Sequence, residues 1–317
     1  MRSLAEYPGL IRPCRHVDGI AAALLPFEAD GRVAEEAFAG LLRSIHAAGL
    51  RCAVNMDTGY ATLLTDEERR RVLHLAREAL GPGVPFIAGA YVEGLEGDLP
   101  ALYRREIDTI LEHGGTPILF QTSRLHGAPP AEKVRVYREA VKGVPGALAF
   151  ELGRVFAPNG EIYDEETVMG LMEIPELAGI KHSSLDRTLE IRRLQLRDRI
   201  RPEFRIYTGN DLGISMIELG SDYLLGLATF CPEKFGDRDR LWERGDPAYL
   251  QLSDALQHLG NVAFRAPVPA YKHSAAIFLH LLGRIPTPAT HPRSHARPAW
   301  EAAMLRDCAL RLGLLDR

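Results

Sequence analysis

Ala178-Gly179-Ile180-Lys181-His182-Ser183-Ser184 is a short apolar run that leads into a lysine. A helix-like segment, Asp164 to Leu177, precedes it, and another, Asp186 to Ile200, follows. That flanking reads as a buried parallel strand of an α/β protein, with Lys181 at its carboxyl end. In such folds the carboxyl ends of strands are where ligands bind. An amine held there against apolar walls has its charged form disfavoured, so it can become neutral and attack a carbonyl. The chain has five lysines (Lys133, Lys142, Lys181, Lys234, Lys272) against many arginines. A lysine at a strand end therefore suggests a need for a deprotonatable amine. Taken alone, the segment also fits a lysine that is ion-paired or reaches out to solvent.

Working outward, strand-like and helix-like stretches alternate with short connections. The strands are expected at Ile20–Phe27, Arg51–Met56, Pro85–Val92, Pro117–Thr122, Ala147–Leu152, Ala178–His182, Arg205–Thr208 and Tyr223–Leu227. Amphipathic patterns lie between them, among them Val33–Ala48, Thr65–Leu80, Leu99–His113 and Ala131–Val141. Thr65-Asp66-Glu67-Glu68 reads as a capping box, and Gly49, Gly81 and Gly220 sit where helices would stop. Eight such units over roughly 250 residues are the pattern of an α/β (β/α)8 TIM barrel. A doubly wound sheet is the alternative, but no GxGxxG follows the first strand. Additional C-terminal helices are expected at Tyr249–Phe264, Ala270–Leu282 and Ala299–Leu312, with a Pro- and His-rich loop over Arg284–Pro298. The expected division is an N-terminal extension over 1–19, the barrel over 20–246 and a helical extension over 247–317.

Composition narrows the function classes. The apolar and charged fractions, 46% and 25%, are those of a globular protein. A formal net charge of −4 with no basic run argues against nucleic acid as a partner. Met1 to Leu10 lacks the apolar core of a signal peptide, and no apolar run approaches membrane-spanning length, so no membrane partner is expected. The four cysteines, Cys14, Cys52, Cys231 and Cys308, are scattered without metal-ligand spacing. A cytoplasmic protein with free thiols, no metal and no organic cofactor is the simplest expectation.

If the barrel is right, residues just after each strand converge on Lys181. Strand two runs into Asn55-Met56-Asp57-Thr58-Gly59-Tyr60, whose hydroxyl and turn amides suit a substrate carboxylate. A plain Asp-Thr-Gly turn would read the same way. Strand five ends in Phe150-Glu151-Leu152-Gly153-Arg154, and strand seven in Tyr207-Thr208-Gly209-Asn210-Asp211. His182 is expected on the opposite side of its strand from Lys181.

On these residues the chain resembles the dihydrodipicolinate synthase / N-acetylneuraminate lyase family of lysine-dependent aldolases and dehydratases. Gly179 to Ser184 matches the family's GIK-[ED]-[ST]-S segment, whose lysine forms a Schiff base. Ala22–Gly31 is similar to its ALVTPF opening with DG soon after. Asp57-Thr58-Gly59-Tyr60 lies over its GTTGE turn, and Gly209-Asn210-Asp211 over its SG-[DN]-D. Pro267-Val268-Pro269 with Lys272 is similar to its NP-x-PVK stretch. The resemblance runs in order from about residue 18 to 285. It implies a lyase in which Lys181 condenses with a 2-keto acid, and a homo-oligomer, dimer or tetramer.

The departures shape the remaining expectations. The family's strand-five tyrosine, in YNxPGR, falls here on Ala149, or on Phe150 with one residue deleted, and neither carries a hydroxyl. The first threonine of GTTGE is Asp57, and the tyrosine borrowed from a neighbouring subunit aligns near Leu125-His126. The resemblance is thus to a divergent member without the catalytic tyrosine, and points away from dihydrodipicolinate synthesis and sialic-acid lysis. Proton transfer is expected from Glu151 or Asp57, with a rim ion pair between Glu151 and Arg154 as the alternative. Thr58 and the adjoining amides, including Gly59, are expected to hold the carboxylate. Arg154, Asn210 and Asp211 are expected at the distal hydroxyls or a second carboxylate. The substrate class is expected to be a 2-keto-3-deoxy sugar acid. A non-catalytic sugar-acid-binding protein is the rival, separated from the lyase by borohydride trapping with pyruvate.

Overall fold

The computed structural model describes residues 8–157 and 159–316. Residues 1–7 of the expected N-terminal extension lie outside them. Eight strands occupy the expected segments: β1 (Gly19–Ala22), β2 (Arg51–Val54), β3 (Phe86–Ala90), β4 (Gly115–Leu119), β5 (Ala147–Leu152), β6 (Leu177–Ser183), β7 (Arg205–Thr208) and β8 (Asp222–Leu225). All neighbours pair in parallel, and β1 pairs with β8 to close the barrel. The strands are nearly continuous apolar runs because side chains on both faces are buried.

An α-helix follows every strand but β7: α1 (Glu35–Ala47), α2 (Asp66–Leu80), α3 (Leu99–Glu112), α4 (Pro130–Ala140), α5 (Glu165–Met172), α6 (Arg187–Ile200) and α7 (Pro232–Arg244). β7 leads into β8 through a short 3-10 helix over Ile214–Leu219 that stops at Gly220. Three more follow: α8 (Ala248–Ala263), α9 (Tyr271–Leu281) and α10 (Glu301–Arg311). Thr65 accepts from the amide of Glu68 while Glu68 reaches back to the amide of Thr65, so the capping box opens α2. Several elements are shorter than their pattern suggested, β1 and α5 most of all. β1 stops at Ala22, four residues before Pro26, which has no N–H to give a ladder. α5 stops at Met172, short of Pro175, and Leu177 already belongs to β6. Among the described residues, no helix is long and apolar enough to cross a membrane.

Strand alternation sorts side chains into two layers. Ile20, Ala53, Ile87, Ile118, Leu148, Phe150 and Leu224 fill the barrel interior. The opposite faces, including Ala149, Ile180 and Ile206, pack under the helices. Phe150 is in register with Lys181 and Glu151 with His182, so each pair shares a face. At the amino-terminal end, Asp18 accepts from Arg51 and from the Tyr207 hydroxyl, closing the floor with charge pairs. The carboxyl end is thereby left as the open end for ligands.

The C-terminal helices position one more element at that end. The Arg297 guanidinium donates to the carbonyls of Ala263 and Arg265 and to Ser274 Oγ. Phe264 stacks on Tyr271 at 4.4 Å and 15°. These contacts pin the first turn of α9 over the barrel mouth.

Candidate active site at the carboxyl mouth of the barrel

Lys181 sits near the end of β6, 7% exposed, with its Nζ over the face of Phe150 at 4.5 Å from the ring centroid. Burial lowers its pKa to about 8, although the carboxylates of Asp211 and Asp57 pull the other way. Ser183, two residues on and on the same face, is buried, and its Oγ has no hydrogen-bond partner among the described residues. Gly209 makes room for both. A Cβ there would lie 1.9 Å from Ser183 Oγ and 2.8 Å from Lys181 Cε.

Asp57 lies at the same mouth. Its Oδ2 accepts from Lys272 Nζ at 2.8 Å and from the Tyr271 hydroxyl at 2.9 Å. Thr58 Oγ1 is 2.9 Å from that same Tyr271 hydroxyl. Burial and the neighbouring Asp57 push the Tyr271 phenol well above its ordinary pKa. Asp211 is buried, and its Oδ1 accepts from the amide of Leu227 at 2.7 Å. Burial raises its pKa to about 7, against the pull of the Leu227 amide and of Lys181. Two amines, Lys181 and Lys272, and two carboxylates, Asp57 and Asp211, therefore share a mostly desolvated space where their fields are weakly screened.

The other expected site residues fall differently. Glu151 is a correction: it does not face the mouth. It shares the outer face of the barrel with His182 and is fully buried beneath α6. His182 Nδ1 lies 2.5 Å from its Oε1, and Arg193 Nε donates to the same oxygen at 3.1 Å. The amide of Tyr163 donates to Oε2. Burial opposes its charge, but His182 and Arg193 outweigh that and hold its pKa below the usual carboxylate value. The guanidinium beside Glu151 is thus Arg193, and the rim pair with Arg154 does not form. Arg154 is exposed in the turn after β5. His182 turns away from Lys181, as the alternation implied, and its Nε2 meets Ser184 Oγ.

The turn amides at Gly59 are also a correction. Gly59 N–H donates to Met56 and Tyr60 N–H to Asp57, so both close the turn itself. Asn210 is buried, and its Oδ1 accepts from the amide of Leu212, closing its own loop. Tyr60, in the left-handed region at φ 60°, packs edge-on to Phe27 beside His291. Among the described residues, no group of three or more His, Cys, Asp or Glu could hold a metal ion. The residues that sequence reasoning missed are Phe150, Ser183 and Tyr271. Period-two alternation from Lys181 could have found Ser183. Nothing in the local pattern of α9 singles out Tyr271.

Comparison with known proteins agrees with this architecture. No protein-family model matches the chain. The 4-hydroxy-tetrahydrodipicolinate synthase of Rhodospirillum centenum is 24% identical over 294 residues, covering 90% of this chain and 97% of that protein. The synthase of Kosmotoga olearia is 30% identical over 155 residues, so that match spans only half of each chain. Among solved structures, the chloride-inhibited dihydrodipicolinate synthase of Acinetobacter baumannii, complexed with pyruvate, superposes with a TM-score of 0.79. It is 19% identical and covers 95% of this chain and all of its own. A prophage protein of the dihydrodipicolinic acid synthase family from E. coli K12, also in complex with pyruvate, gives a TM-score of 0.80 at 17% identity. The match covers 94% of this chain and 99% of that one. With the closed barrel, the appended helices and a lysine at the end of β6, these likenesses make the chain similar, at low identity, to the dihydrodipicolinate synthase / N-acetylneuraminate lyase family, whose members are lyases of the class I aldolase type.

Proposed function

We propose that the protein is a Schiff-base lyase in which Lys181 condenses with the C2 carbonyl of a 2-keto acid. The observation that carries this reading is the buried amine over Phe150 with its pKa lowered to about 8. At pH 7 such an amine is neutral about a tenth of the time, against less than about one part in a thousand at an ordinary lysine pKa. The neutral amine attacks C2, a proton is taken up, water leaves and a cationic iminium remains. That cation draws electrons from the adjoining bonds. A C–C bond can then break, or a β-hydroxyl can leave as water, with the electron pair held as an enamine.

Pyruvate in the two structural neighbours supports a small 2-keto acid as the core of the substrate. For the whole substrate we propose a 2-keto-3-deoxy sugar acid. Asp211 and the unpartnered hydroxyl of Ser183 offer hydrogen bonds suited to a hydroxylated chain. A homo-oligomer, dimer or tetramer, belongs to the same proposal, and exposed Val155 and Leu212 beside the mouth favour it. Borohydride reduction with pyruvate followed by intact mass tests the imine. The expected result is one pyruvate adduct in the parent and none in Lys181→Arg, whose guanidinium stays protonated. An adduct that persists in Lys181→Arg and maps to another lysine would refute the assignment.

A further inference from the structure

The hydrogen bonds among Asp57, Tyr271 and Thr58 have only one consistent direction. A carboxylate can only accept, and Asp57 Oδ2 accepts from both Tyr271 and Lys272. The single phenolic proton of Tyr271 is therefore committed to Asp57. The 2.9 Å contact between Tyr271 and Thr58 must then be a donation from Thr58. Thr58 is left with free lone pairs and no free proton, which suits it to receive a proton rather than to hold a carboxylate. The arrangement is built rather than incidental. A Cβ at Gly226 would lie 3.0 Å from both Thr58 Oγ1 and the Tyr271 ring, so glycine lets the backbone at the end of β8 pack closely against the pair. The Tyr271 ring is fixed from behind by Phe264. On β5 the residue that faces Lys181 is Phe150, which has no hydroxyl to offer. Asp57 acts electrostatically on both Lys181 and Tyr271, so the carboxylate lies within reach of the amine's field.

We infer that Thr58, Tyr271 and Asp57 form the proton relay of the imine–enamine step, with the C-terminal helix α9 supplying the tyrosine. This rests on the imine reading above. In the step, a C3–H bond of the iminium breaks and its electron pair forms the C2=C3 bond. The C=N π pair returns to nitrogen and cancels the positive charge. The released proton goes to Thr58 Oγ1, the Thr58 proton passes to the Tyr271 oxygen, and the Tyr271 proton passes to Asp57 Oδ2. A cation and a carboxylate become a neutral enamine and a carboxylic acid, so charge balances without a co-reactant. Run backwards, the same relay protonates the enamine after bond cleavage. Lys272 stays paired with Asp57 and orients it.

The test uses the full-length protein with pyruvate and measures two things in each variant. Borohydride trapping reports the imine, and deuterium exchange at the pyruvate methyl in D2O, followed by proton NMR, reports the relay. Tyr271→Phe and Thr58→Val should keep the trapped adduct while exchange falls by roughly 10²–10⁴-fold. Thr58→Ser restores the hydroxyl and should recover exchange, an outcome a purely structural role would not separate from Thr58→Val. Should Tyr271→Phe fold poorly, the Thr58 pair decides alone. Parent-like exchange in folded Tyr271→Phe or Thr58→Val overturns the relay, as does a parent that traps pyruvate without exchanging its methyl protons. Adduct loss equal to the loss of exchange would move these residues to imine formation and also overturn it. Absence of an adduct in the parent would instead refute the imine reading itself, and the relay with it.

Discussion

Replacing Lys181 by methionine should make the protein more stable, and by an amount that depends on pH in a set direction. The amine is 7% exposed and its pKa falls from 10.5 to about 8 on folding. Each pKa unit corresponds to about 1.4 kcal/mol, so holding the protonated amine in the folded state costs on the order of 3 kcal/mol. Because the folded pKa lies below the unfolded one, the unfolded chain binds more protons between pH 8 and 10.5. That cost is therefore complete below about pH 8 and fades as pH rises towards 10.5. Lys181→Met removes it. Methionine also changes packing, but that part does not vary with pH. The assay is urea unfolding of parent and variant at several pH values from 7 to 10.5, with the difference in unfolding free energy plotted against pH. Other lysines and tyrosines titrate in both proteins and cancel in that difference. The expected advantage of the variant shrinks by on the order of 3 kcal/mol across the range. A difference that stays flat with pH would refute the claim that folding desolvates this amine, and with it the physical basis for its nucleophilicity. Stability given up for a reactive group is the usual trade at a catalytic site.

Glu151→Gln should leave methyl exchange of pyruvate near the parent rate yet destabilise the fold by about 3–5 kcal/mol, because Arg193 loses its buried counter-charge. The pKa of Glu151 is held below its usual 4.5, so its contribution is present above that value and is lost as pH falls through the lower, folded one; acid titration of parent and variant should therefore converge at low pH. Gly209→Ala places a methyl 1.9 Å from Ser183 Oγ and 2.8 Å from Lys181 Cε, so both must move. Pyruvate trapping should drop sharply while far-ultraviolet circular dichroism stays parent-like, and undiminished trapping would contradict the geometry. Light scattering at micromolar concentration should give a mass at least double the 35.1 kDa of one chain, and a monomer would remove the proposed oligomer.

What the sequence determined by itself was the barrel, the order of its elements and the lysine. These are written in short-range signals: apolar runs of strand length, the Thr65–Glu68 box that opens α2, and glycines such as Gly49, Gly81 and Gly220 at φ 87°, 77° and 105° where helices end. Period-two alternation also placed His182 opposite Lys181, as the Glu151–His182 contact shows. The same rule applied across strands would have placed Glu151, but it needs the register of β5 against β6. Register is a tertiary quantity, set by how the sheet closes, and a slip of one residue exchanges Phe150 for Glu151 at the mouth. Only the tertiary structure brought Tyr271 to Asp57, across 214 residues of chain. No local pattern encodes that meeting. It follows from where Arg297 anchors the C-terminal helices on the barrel, and so from packing between elements that are distant in sequence.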